Sequence, residues 1–98
     1  MGSPEMVIQP SSRFKDDLQK LRKEDVKFTY KTWELVFDAM DAMQKYSNPL
    51  YGRGRPEGLK GNLSGSYSRE ITEKHRLIYR YTDSNDCIML VSCYGHYI

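Results

Sequence analysis

The sequence predicts one α+β domain: a small twisted, antiparallel-rich sheet with two N-terminal helices packed on one face, in the order β-α-α-β-β-β. Three observations carry this. Two stretches before residue 47 repeat apolar side chains with the helical period. Three runs after residue 65 read as strands. The segment between them is rich in glycine and proline and follows neither period. Helices grouped ahead of strands argue against alternating βαβ units, and 98 residues suit a single modest core.

"MVIQP" (6–10) is a short apolar run closed by Pro10, a first strand. In "SSRFKDDLQKLRKED", Ser11 or Ser12 can cap, and Phe14, Leu18 and Leu21 recur at i, i+4, i+7. That spacing predicts an amphipathic helix over 12–24. "TYKTWELVFDAMDAMQKY" repeats the pattern with Trp33, Val36, Phe37, Met40 and Met43, and predicts a second helix over 30–46, capped near Thr29. Its methionine stripe reads as core, because the thioether fills irregular gaps. "SYSREIT" (66–72), "HRLIYRYT" (75–82) and "CIMLVSCY" (87–94) supply three strands, the last two joined through the turn-rich "DSND" as a hairpin. Along 75–82, period two places Leu77, Tyr79 and Tyr81 on one face and Arg76, Ile78 and Arg80 on the other. The helices should cover the first face and leave the second barer. The final run is apolar on both sides, which predicts an interior strand. The opening "MGSPE" (1–5) reads as a leftover of an expression tag, leaving 6–98 as the domain.

A 39% apolar and 29% charged composition excludes a disordered chain. No apolar run approaches the roughly 20 residues of a membrane span, and no signal peptide is visible. Cys87 and Cys93 would sit on one strand about 20 Å apart, too far for a disulfide. Two free thiols fit a reducing cytoplasm. The cysteine and histidine spacings match no metal-ligand signature, so neither metal nor cofactor is expected. Eight tyrosines are many for this length and suit half-buried strands or ligand-touching surfaces. The net charge is only +2, yet residues 51–80 hold seven basic against three acidic residues. A polyanion partner is one reading of that excess, and solvated surface charge is the other.

The connector "SNPLYGRGRPEGLKGNLSG" (47–65) holds five of the seven glycines, with nothing regular expected beyond a turn at Pro56–Lys60. Loops this long in compact domains are often functional. This one carries Arg53, Arg55, Glu57 and Lys60. The chain ends on "SCYGHYI", where an interior strand could display His96 and Tyr97 at a sheet edge near the arginine face. Metal-free RNA cleavage needs a base for the 2′-OH, a cation for the charge gained at phosphorus, an acid for the 5′-oxygen, and a group that holds the nucleotide in line. Glu57 or His96 could be the base, Arg76 and Lys60 the cations, His96 the acid, and Tyr97 a stacking or hydrogen-bonding group. Each also has a plain reading. Glu57 could be a solvated loop carboxylate, and Arg76 could pair with Glu70 or Glu73 across the sheet. His75 reads as structural, and His96-Tyr97 could be a mere tail.

"GRPEGLKGNLSGSYSREITEKHRLIYRYT" and the closing "CYGHY" resemble the YoeB/Txe family, toxins of bacterial type II toxin–antitoxin modules within the RelE-like group. The resemblance spans roughly residues 6–97 in layout and is strongest from 52 to 97. It implies a cytoplasmic, ribosome-dependent endoribonuclease that cuts mRNA in the ribosomal A site and needs no metal. By resemblance Glu57 is the general base, Arg76 the phosphate stabiliser, His96 the general acid and Tyr97 the substrate-orienting group. Lys60 is a supporting phosphate contact, and the basic Arg53, Arg55 and Arg69 are assigned to substrate binding. The implied partners are a cognate antitoxin, the 70S ribosome with its mRNA, and a second copy of the chain in a homodimer. Several positions depart from relatives. Glu70 stands where many carry a basic residue, Tyr94-Gly95 precede the His-Tyr pair where a basic residue is frequent, Gly61 replaces a larger polar residue, and Ile98 extends the end. These departures keep an alternative open: a module of the same fold that binds RNA, the ribosome or an antitoxin with weak or no nuclease activity.

Overall fold

Asp25 ends one helix and begins the next. Its backbone N–H donates to the Leu21 carbonyl at the C-terminus of α1 (Ser12–Glu24), and its carboxylate accepts from Lys27 N–H in the first turn of α2 (Val26–Gln44). The second helix therefore starts four residues before the expected position. Thr29 does not cap it; its hydroxyl donates back to the Val26 carbonyl. The local capping preference of Asp25 won over that of Thr29 because only one residue separates the helices. Ser11 caps α1 as expected, accepting from Phe14 N–H at 3.0 Å.

The computed structural model describes residues 6–96. Among them lie five strands of one sheet: β1 (Val7–Pro10), β2 (Glu57–Gly58), β3 (Tyr67–Glu70), β4 (Arg76–Tyr81) and β5 (Cys87–Ser92), in the spatial order β1-β5-β4-β3-β2. All pairings are antiparallel except β1 with β5. As expected, β5 is interior. The connector is more regular than its composition implies, contributing β2 and a single 3-10 turn at Gly61–Leu63.

Both helices pack on the face that carries Leu77, Tyr79, Ile88 and Leu90, which join Phe14, Leu21, Leu35, Val36 and Ala39 in one core. The Tyr81 hydroxyl donates to the Ala39 carbonyl at 2.7 Å and fastens α2 to the sheet. Phe37, expected in the apolar stripe, is instead 55% exposed. The buried row on α2 is Thr32, Leu35, Val36, Ala39 and Ala42, and at 100° per residue Phe37 turns out of it.

One irregularity decides the end of the chain. Tyr79 pairs with Leu90 but Ile78 pairs with Ser92, so Val91 is an extra residue bulged from β5. A bulge shifts the alternation by one. Ser92 thus lies opposite Ile78 on the helix-free face, while Cys93 turns into the core. Burial there, with Asp17 nearby, pushes the Cys93 thiol up to about 12.

Candidate functional site

The helix-free face is floored by Ser68, Ile78 and Ser92, all buried. Register places Glu57 opposite Ser68, Ser68 opposite Ile78, and Glu70 opposite Arg76. Glu57, Glu70, Arg76 and Arg80 therefore share this face. Glu57 is exposed and accepts from the Ser68 hydroxyl at 3.4 Å. Two strand spacings and two residues separate Glu57 from Arg76, which puts their Cα atoms about 12 Å apart. Both side chains are long enough to reach a group held between them.

His96 arrives from the other side. The N–H of Arg76 donates to the Gly95 carbonyl at 3.1 Å, so the last described residues run alongside β4 on the edge away from β3. His96, the next residue, is exposed. Glu57 and His96 thus flank Arg76, one across β3 and the other across the tail. Gly95 has φ +78°, a conformation that costs an L side chain about 1–2 kcal/mol. Nothing would touch a Cβ there, so the backbone angle rather than space requires the glycine. Tyr97 lies outside the described residues.

Cys93 and Tyr94 are anchored, for reasons the strand pattern could not reveal. Cys93 N–H donates to Asp17 Oδ2 at 3.0 Å, and the Tyr94 hydroxyl donates to Glu24. Asp17, Lys20 and Glu24 fall at i, i+3, i+7 on α1 and so share a stripe. Lys20 Nζ lies 5.6 Å from the centre of the Tyr94 ring. That polar stripe, beside Phe14 and Leu21, is the sequence signal that could have pointed to the anchor.

The four supporting basic residues divide. Lys60 is exposed just after β2, where it precedes the 3-10 turn. Arg55 is exposed, with Nη1 4.0 Å from Glu70 Oε2. Arg53 lies on the helix side, where its guanidinium grips Asp38 of α2 at 2.9 Å and Glu34 at 2.9 Å. Arg69 is a correction: it points into the helix-side core and is fully buried. Its Nε donates to the Tyr79 hydroxyl at 2.8 Å, and its terminal nitrogens donate to the carbonyls of Arg53 at 2.8 Å and Tyr51 at 2.6 Å. Alternation put Arg69 on the face opposite Ser68 and Glu70, and there it ties down the connector instead of meeting a substrate. Among the described residues, no group of three or more His, Cys, Asp or Glu could hold a metal ion, and no helix is long and apolar enough to cross a membrane.

The Arg53 clasp has a pH signature. The hydrogen bond from Arg53, ahead of its charge, holds the Asp38 carboxyl below the usual range. A depressed folded pKa contributes stability above the unfolded value of roughly 4, lost as pH falls through the folded value. Asp38→Asn is expected to flatten that acid limb in thermal unfolding followed across pH. An acid limb identical to that of the parent chain would show that the clasp adds no pH-dependent stability.

The model of a family described as YoeB-like toxin of bacterial type II toxin-antitoxin system matches residues 11–97. The chain is 40% identical over 82 residues to Toxin YoeB of Escherichia coli strain K12, covering 84% of this chain and 88% of that protein. Among solved structures, the heterotetrameric YoeB–YefM toxin–antitoxin complex from Staphylococcus aureus is similar with a TM-score of 0.72 at 34% identity, over 95% of this chain and 99% of that one. The YoeB dimer from the same organism has a TM-score of 0.75 at 33% identity, over 95% and 99%.

Proposed function

From the premise that the chain belongs to the YoeB-like toxins of bacterial type II toxin–antitoxin systems, we propose that it is a ribosome-dependent endoribonuclease acting on mRNA in the A site. The observation that carries the reading is the order across the sheet: a carboxylate on one side of Arg76 and the His96 backbone on the other. In-line displacement at phosphorus needs a base and an acid on opposite sides of the atom that gains charge. Glu57 takes the 2′-OH proton, and the 2′-oxygen attacks phosphorus. Arg76 steadies the added negative charge. His96 gives its proton to the 5′-oxygen as the P–O5′ bond breaks, leaving a 2′,3′-cyclic phosphate and a 5′-hydroxyl. Lys60 and Arg55 hold neighbouring phosphates, and Tyr97 orients the nucleotide.

A cognate antitoxin of the YefM kind and a second copy of the chain are the protein partners that the neighbouring structures suggest. An acidic antitoxin segment lying over Arg76 would neutralise the face, and an apolar one would cover it.

A translation extract primed with a defined message is expected to yield cuts within codons, while the same RNA without ribosomes stays whole. Glu70 favours a second reading, since it lies directly opposite Arg76 and near Arg55 and competes with a phosphate for both. Under that reading the protein blocks translation by occupancy. Stalled synthesis on an intact message would support it and defeat the nuclease. Under the nuclease reading, Glu70→Gln is expected to raise cleavage severalfold at low substrate, because one like-signed charge beside the phosphate is removed.

A further inference from the structure

Gly95, the residue before His96, is held at both of its backbone polar groups by two consecutive residues. Gly95 N–H donates to His75 Nδ1 at 2.9 Å, and the Gly95 carbonyl accepts from Arg76 N–H at 3.1 Å. The "HR" of β4 and the "GH" of the tail therefore interlock. A backbone N–H can only donate, so Nδ1 bears no proton. The ring hydrogen is then on Nε2, which donates to Glu24 Oε1 at 2.9 Å. The other oxygen of Glu24 accepts the Tyr94 hydroxyl, and the Tyr94 ring lies 4.4 Å from the imidazole. Phe28 of α2 closes another side at 6.2 Å between ring centres. His75 is 4% exposed, so water does not substitute readily for either bond.

We infer that His75 is a positioning residue for His96: through Gly95 it fixes where the terminal chain leaves the sheet beside Arg76, and it does so only as the neutral ring protonated on Nε2. This rests on the nuclease reading for its catalytic consequence, but not for the clamp itself. A second proton on Nδ1 would set donor against donor and release Gly95. The charged and titratable groups that surround the ring are Glu24 and, through Tyr94, Lys20 from α1, Glu73 and Lys74 from the turn before β4, and Tyr94 from the tail; from α2 the apolar Phe28 packs beside it.

The two nitrogens can be tested separately. His75→Asn puts a carbonyl oxygen where Nδ1 stood and loses the donor to Glu24. His75→Gln supplies an amide N–H at about the reach of Nε2 and loses the acceptor for Gly95. Gly95 amide protection is read by hydrogen exchange, and cleavage by single-turnover assay on programmed ribosomes. Protection is expected in the parent and in His75→Asn, and its loss in His75→Gln. Cleavage by His75→Gln should fall about 10- to 100-fold in turnover with little change in KM, the size of a misplaced catalytic group, and His75→Asn should recover most of it. In the parent, the Gly95 protection factor should drop on acidification, and in His75→Asn it should not. Should His75→Gln unfold, this pH comparison in the parent and His75→Asn still decides. A protected Gly95 in His75→Gln, or a pH-independent factor in the parent, overturns the clamp. Lost protection with parental cleavage overturns the positioning role alone. A parent that never cuts overturns the nuclease reading, while Gly95 exchange still reports on the clamp.

Discussion

Replacing His96 with alanine is expected to lower ribosome-dependent cleavage by roughly 10²- to 10⁴-fold, the range that positioned proton transfer contributes. Glu57→Ala should fall in the same range. The two losses should not add when combined, because base and acid act in one displacement. Neither change should move the unfolding midpoint much. His96 and Glu57 are exposed, and substitutions at such surfaces stay within about 0.5 kcal/mol. Arg76→Ala should cost at least as much rate, yet it is the weaker test. Arg76 is half-buried and lies opposite Glu70, so its loss mixes chemistry with sheet stability. Under the same reading, Lys60→Ala and Arg55→Ala should show smaller losses, mostly at low substrate, because both side chains are exposed on the flanks of the face. If His96→Ala and Glu57→Ala both cut at the parental rate, these roles are wrong, whatever the fold.

Arg69→Ala is expected to destabilise the domain by about 3–5 kcal/mol, the cost of removing a large buried side chain together with its charge-assisted hydrogen bonds. A domain of this size holds only about 5–15 kcal/mol in total, so the variant should be close to unfolding at 37 °C. The guanidinium spends its donors on the Tyr79 hydroxyl and on carbonyls of the connector. Each charge-assisted bond contributes about 1.5–3 kcal/mol, and the one to the Tyr79 hydroxyl is buried while those to the connector carbonyls are part-buried. Arg69→Lys should recover little, because one ammonium cannot span a fork of acceptors. The connector fits closely around this side chain: a Cβ at Gly52 would sit 2.9 Å from Arg69 Nη1. Urea unfolding measures the effect. A variant of parental stability that had lost only RNA cleavage would return Arg69 to the substrate-binding role expected of it.

These two results separate what alternation and composition could say about the basic residues. Arg69, Arg53, Arg55 and Lys60 belong to one basic segment, and the sequence offers no means to sort them. The structure sends Arg69 inward and pairs Arg53 with α2, leaving Arg55 and Lys60 exposed. Sorting needs the parity of β3 and the path of the connector over α2, both of which are long-range facts. Glu57 and Arg76 share a face because β2 adds to the edge of β3 in a register that a glycine-rich segment does not advertise. His75, read as structural, turns out to hold the residue before His96.

What the sequence determined by itself was everything set by local repetition. Helical spacing in the first half, alternation in the second and the turn at "DSND" dictate two helices, a hairpin and an interior last strand, because side-chain burial must follow backbone period. The tertiary structure alone decided parity and partners. The extra residue at Val91 carries Cys93 into the core, and Asp17, Glu24 and His75, from 20 to 76 residues away, hold the tail beside Arg76. A single-residue shift reverses which way every later side chain points, and only packing against α1 fixes that choice.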